Sequence, residues 1–235
     1  MIHTYLGKTI SFDINYKNRT SIGIYVDPYG KIEVQAPKGT SDECVLQFLE
    51  EKWDWIQARI QEMRDRSLGP KEKIYDNGES FLYLGNAYPI HISQDPDITQ
   101  DHAVFKGDRL QIYVKQLEDE KIKQALKRFY YQQCKALVER SIQAHQSNFK
   151  IKPHSIRIND SKATWGTCDS RRHLTFNWRL AMAPLTVIDY VVVHEMCHMV
   201  HLNHDRSFWR LVGKLIPDYE QRENWLTISN WKMTV

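Results

Sequence analysis

Val191-Val192-Val193-His194-Glu195-Met196-Cys197-His198 is the stretch on which the reading of this chain turns. It places His-Glu-x-x-His within apolar sequence. On a helix, residues i and i+4 lie one turn apart on the same face. His194 and His198 can therefore aim both imidazoles at one ion, the ligand spacing of a zinc site. Glu195 stands about 100° round the helix. It can serve a water beside that ion without being a ligand. The helix is expected over residues 187–201, opened by a capping box at Thr186-Val187-Ile188-Asp189. Ile188, Val192 and Met196 form the side opposite His194, and Val187 and Val191 flank the His face. A helix apolar nearly all round does not carry two His and a Glu unless they have partners.

A catalytic zinc takes three protein ligands and leaves one position for water. His201 and His204 are the candidates for the third. His201 shares the face of His194, but three ligands on one straight helix would span ~10 Å of axis. Zn–N bonds of ~2.0–2.1 Å would then force a nearly linear site. Asn203 tolerates the left-handed backbone that ends helices, so the chain can turn and bring His204 back. His204 is the expected ligand, and His201 lies beside the site or faces solvent. With such a metal, Glu195 is the expected general base: it takes a proton from the attacking water and passes it to the leaving group. Zinc is inferred from ligand type, and Mn, Co or Ni suit the same donors.

Outward from this helix the pattern changes twice. Residues 9–16 alternate with period 2, and 22–26 and 32–34 follow as short apolar runs. Asp27-Pro28-Tyr29-Gly30 separates the last two and predicts an antiparallel turn. Helical spacing takes over from 42 to 66, with Ser41 as cap and Leu68-Gly69-Pro70 as stop. Strand-like runs return at 80–84, 88–92 and 110–114. A long amphipathic helix is expected over 118–144, and short strands near 155–159, 163–167 and 173–177. Further helices cover 207–215 and 218–231. The chain is β-rich to about 115 and helical after it, so two regions are expected, 1–115 and 116–235, built together as one unit.

The chain has 235 residues, 42% of them hydrophobic and 26% charged, the composition of an ordinary globular protein. No apolar run approaches the ~20 residues that span a bilayer, so no membrane partner is expected. Met1-Ile2-His3-Thr4-Tyr5 does not read as the start of a secretory signal. Cys44, Cys134, Cys168 and Cys197 form no Cys-x-x-Cys pair. They read as reduced thiols, which together with the missing signal predicts a cytoplasmic protein. A net charge of +3 gives no strong nucleic-acid signal.

Several longer stretches resemble the YgjP-like metallopeptidase family, relatives of the SprT-like zinc proteases. They are Trp165-Gly166-Thr167-Cys168, the run from Phe176 to Pro184, Asp189 to His198, Asn203 to Trp209, and Pro217-Asp218-Tyr219. Weaker similarity reaches Ala36-Pro37-Lys38-Gly39 and Tyr83-Leu84-Gly85. The resemblance implies His194, His198 and His204 as zinc ligands and Glu195 as acid/base. It implies an α+β fold with a zincin-like core: helix, short antiparallel sheet, active-site helix, further helices. A peptide or protein is the substrate implied first. A nucleotide substrate, with pyrophosphate released from UTP on the same site, is the alternative. The family commonly has Arg where this chain has Thr164.

Two further residues have open readings. Arg179 either grips an anionic group of the substrate or makes a structural ion pair. Tyr190, one turn before His194 on its face, either donates to a developing oxyanion or packs. Trp165, Trp178 and Trp209 read as core or cleft wall. Cys197 reads as buried packing rather than a fourth ligand.

Overall fold

The computed structural model describes residues 1–27, 31–67 and 73–235. The expected turn at 28–30 and helix stop at 68–70 lie outside them. The chain divides into two compact units, Met1–Lys71 and Glu72–Val235. The change of composition at 115 falls inside the second.

The first unit starts from alternating strands. β1 (Ile2–Tyr5), β2 (Lys8–Lys17), β3 (Gly23–Val26) and β4 (Ile32–Pro37) form a sheet in the order β1-β2-β4-β3. β2 and β4 are parallel, and the other pairs are antiparallel. Ile32, Val34 and Ala36 alternate inward on β4, as a period of 2 requires. Ser41 caps α1 (Asp42–Glu51), its side chain accepting from the Cys44 N–H. The single helix expected over 42–66 is interrupted at Lys52, whose φ of −105° and ψ of 13° are not helical, and it resumes as α2 (Trp53–Ser67). Neither Gly nor Pro marks this break. Val45, Leu49, Trp53 and Ile56 still share one core with Phe12, Ile32 and Val34.

The second unit holds two sheets and the remaining helices. β5 (Ser80–Tyr83), β6 (Asn86–Gln94), β7 (His102–Phe105) and β8 (Leu110–Val114) pair in the order β5-β6-β8-β7. The buried residues of β8 share a core with those of α3 (Asp119–His145). β9 (Ser155–Asn159), β10 (Gly166–Cys168) and β11 (His173–Asn177) pair in the order β10-β11-β9. This sheet is mixed, not antiparallel as expected, because β11 runs parallel to β9 and antiparallel to β10. The antiparallel form is what the resemblance implies, and alternation of apolar residues carries no information on strand direction that could correct it. A 3₁₀ turn, Trp178–Met182, leads into α4 (Leu185–His198), α5 (Arg206–Leu215) and α6 (Tyr219–Ser229). The chain is thus a mixed α+β protein.

Two details fix where α4 begins. Its N-cap is Pro184, with no side-chain cap bond, and the helix starts at Leu185 rather than behind a capping box at Thr186. Asp189 is taken elsewhere: its carboxylate accepts from Ser141 Oγ of α3 at 2.6 Å. The β5–β6 turn hooks onto the same segment. Leu84 and Gly85 donate their N–H groups to the carbonyls of Ala181 (3.0 Å) and Met182 (2.9 Å). Gly85 has φ +85°, and a Cβ there would stand 2.7 Å from Pro184 Cγ, so only glycine fits. Tyr83-Leu84-Gly85 and Ala181-Met182-Ala183-Pro184 therefore meet in space. Among the described residues, no helix is long and apolar enough to cross a membrane.

Candidate metal centre

α4 presents His194 and His198 one turn apart and ends there, three residues before the expected end at 201. The chain then turns through 199–205 and brings His204 back. Its Nε2 lies 3.0 Å from His194 Nε2 and 3.1 Å from His198 Nε2. These three form a cluster able to hold a metal ion. Burial, then the neighbouring His198 and His204, pushes His194 down to about 3. His198 is lowered as well, first by burial. Both imidazoles are therefore neutral at pH 7 and offer lone pairs, as ligation requires. A tetrahedral site with Zn–N bonds of ~2.0–2.1 Å separates its nitrogens by about 3.3 Å, close to these distances. The donor set fits a divalent transition metal.

The surroundings orient the three rings. His198 Nδ1 donates to the carbonyl of His201 at 3.0 Å, which leaves Nε2 bare for the ion. His201 thus lies beside the site and joins it through its backbone. Its ring Nδ1 meets Ser207 Oγ at 3.2 Å. Asp205 caps α5, accepting from the Ser207 and Phe208 N–H groups at 2.8 and 2.9 Å. Phe208 is fully buried beneath the cluster. Its ring centre lies 4.9, 4.4 and 4.8 Å from those of His194, His198 and His204. The three imidazoles therefore surround one phenyl ring. Trp209 packs on His194 and His204, and Tyr219 stacks on Trp209 at 5.2 Å.

Glu195 is 6% exposed, and burial pushes its carboxyl up to about 8. The neighbour that encloses it is a backbone. A Cβ on Gly166 of β10 would lie 2.6 Å from Glu195 Cγ and Oε1. Cys168, two residues along the same strand face, is pushed up to about 11 by its own burial and then by the Glu195 charge. Cys197 is fully buried packing, as expected.

Tyr190 sits with the cluster, its ring 5.8 Å from that of His194. Burial first, then the facing Glu223 carboxylate, holds its hydroxyl well above the ordinary tyrosine value. Arg179 is placed otherwise. Its Nη1 donates to Asp160 at 2.6 Å, and its guanidinium lies over Trp178 at 4.4 Å. Among the described residues, no hydrogen bond or ion pair joins it to the histidines.

Asp160 also accepts from Lys127 Nζ at 2.6 Å and Trp178 Nε1 at 2.9 Å. Burial alone would raise its carboxyl; these three donors outweigh that and hold it well below the carboxylate range. A depressed folded pKa stabilises the fold above the unfolded value of ~3.9 and loses that effect as pH falls below it. Asp160→Asn is expected to lower Tm at pH 7 and to differ less from wild type at pH 3. Thermal melts across that range check it.

Gly166 and Phe208 are the neighbours that sequence reasoning missed. Phe208 stood in the stretch Asn203 to Trp209, but nothing in its spacing placed it beneath the three histidines. Gly166 stood in a recognised stretch, but the spacing of residues does not show which side chain will approach it.

Among curated proteins nothing matches the chain. Among solved structures, the crystal structure of the metallopeptidase zymogen of Pyrococcus abyssi abylysin is similar at 21% identity and a TM-score of 0.33. That match covers 39% of this chain and 89% of abylysin. The model of the YgjP-like metallopeptidase domain matches residues 20–229, nearly the whole length, and the chain therefore belongs to the YgjP-like metallopeptidase family.

Proposed function

We propose that this chain hydrolyses peptide bonds with one divalent metal, zinc by ligand type, held by His194, His198 and His204. The carrying observation is the meeting of three imidazole Nε2 atoms at 3.0 and 3.1 Å. When bound, the metal supplies Lewis acidity, polarising a carbonyl oxygen and acidifying water. Glu195 is the general base. Its buried carboxylate has a raised proton affinity, so it accepts the proton of an attacking water at a carboxylate oxygen and returns it to the leaving amine. Tyr190 and Trp209 wall the site. Arg179 has a structural part, holding Asp160.

The peptide itself has a place to lie. β10 pairs only with β11 among the described residues, so its other edge is free. Asn177 N–H donates to the Trp165 carbonyl at 2.8 Å, and Thr167 lies opposite Thr175. In an antiparallel ladder these are the bonded pairs. The N–H and C=O groups of Gly166 and Cys168 therefore point to the free edge. An extended peptide added there passes the carboxyl of Glu195. The arrangement of strand, active-site helix and returning histidine supports the reading of a zincin-like core.

Metal analysis and parallel assays test this reading. Purified protein is expected to hold about one zinc and to cleave an unstructured peptide or casein. Release of pyrophosphate from UTP without peptide cleavage would turn the reading to the nucleotide substrate. Gly166→Ala probes the geometry. Its Cβ would displace the Glu195 carboxyl, and a shift near 1 Å costs about 10²-fold in turnover. Bound metal is expected to be unchanged. Full activity in Gly166→Ala would remove Gly166 from the account.

A further inference from the structure

The charge of the chain is unevenly placed. Residues 150–179, which contain the sheet of β9, β10 and β11, hold seven Lys and Arg against two Asp. The two acids are already engaged. Asp160 is held by Lys127, Trp178 and Arg179. Asp169 accepts from the N–H groups of Arg171 and His173 and from the His173 ring. Lys150, Lys152, Arg157, Lys162, Arg171 and Arg172 are all exposed. Among the described residues, none of the six has an ion pair or a side-chain hydrogen bond.

Lys162, Arg171 and Arg172 flank the two ends of β10, and Arg157 stands on β9, across β11 from it. Thr167, Thr175 and Arg157 stand in one row across the sheet, on the face opposite Gly166 and Cys168. With strands ~4.8 Å apart, Arg157 starts about 10 Å from Thr167, within reach of a long side chain. Arg171 and Arg172 lie in the turn that follows β10. The Arg172 carbonyl accepts from His154 N–H at 2.9 Å, which brings the segment of Lys152 to the same end. Lys162 precedes β10 at the other end.

We propose that this basic surface selects acidic peptide segments, so that the preferred substrate carries Asp or Glu within a few residues of the cleaved bond. The proposal rests on the edge-strand reading above. Uncompensated charges within a Debye length of ~8 Å raise the local concentration of an oppositely charged ligand. A peptide is favoured over a nucleic acid because the edge of β10 offers N–H and C=O groups that pair with an extended peptide backbone.

The test is binding to the full-length Glu195→Gln protein, followed by fluorescence anisotropy. Two labelled decapeptides share an apolar centre and differ in flanks of Asp/Glu or of Lys. The acidic peptide is expected to bind about tenfold tighter at 0.05 M salt, with the gap closing at 0.5 M. Arg157→Glu/Arg171→Glu should abolish the preference, with Arg157→Gln/Arg171→Gln intermediate and Tm and bound zinc unchanged. Equal affinity, or a preference that survives both variants, overturns the proposal. So does an oligothymidylate of matched charge that binds tighter than the acidic peptide. Wild-type protein that cleaves both peptides equally well sinks this proposal and leaves the peptidase reading intact. Charge-dependent binding with no cleavage of any peptide does the reverse.

Discussion

Glu195→Gln is expected to keep the metal and lose turnover by roughly 10³-fold, within the range of general acid–base catalysis. The rings able to hold the metal belong to His194, His198 and His204, so the substitution leaves that donor set whole. Gln has the shape of Glu and fits the space that Gly166 leaves. It cannot accept and return a proton. Bound zinc by elemental analysis and peptide cleavage under saturating substrate are the two readings. Zinc retained with activity lost supports the general base. Activity near wild type would remove Glu195 from that role. Loss of zinc would show that Glu195 holds the cluster together instead.

Phe208→Ala should produce the largest loss of stability. The ring is fully buried, and all three imidazoles pack on it. Truncating such a Phe costs about 3–5 kcal/mol, the larger part where neighbours cannot collapse inward. Collapse here would carry the histidines with it. Metal affinity is therefore expected to fall by about 10–100-fold, the cost of losing support around ligands. Denaturant melts give the first effect and chelator competition the second. Phe208→Leu keeps part of the volume and should recover part of both. Unchanged zinc affinity in a folded Phe208→Ala protein would show that the rings hold their places without it.

The parts legible in the sequence are those that depend on spacing along one helix. The i, i+4 relation places His194 and His198 on one face whatever they pack against. The impossibility of three ligands on a straight helix pointed past His201 to His204. What was not legible depends on segments distant in sequence. Gly166 encloses Glu195 because β10 crosses beside α4, and no periodicity encodes that crossing. The parallel pairing of β9 with β11 is hidden for the same reason. Local signals also misled where tertiary contacts prevailed. Thr186-Val187-Ile188-Asp189 has the pattern of a cap, but Asp189 is bound to Ser141. Lys52 interrupts a helix that its composition would continue.

The hook of Leu84 and Gly85 onto Ala181 and Met182 limits where this chain can be shortened. The change of composition at 115 suggests that 116–235 could be expressed as a minimal enzyme. Such a fragment would strip two carbonyls of their donors just before α4 and lay bare the face of α3 that packs on β8. The four-stranded sheet of the second unit is thus a buttress of the helix that carries His194, Glu195 and His198. Any truncation meant to keep the chemistry has to retain residues 80–114.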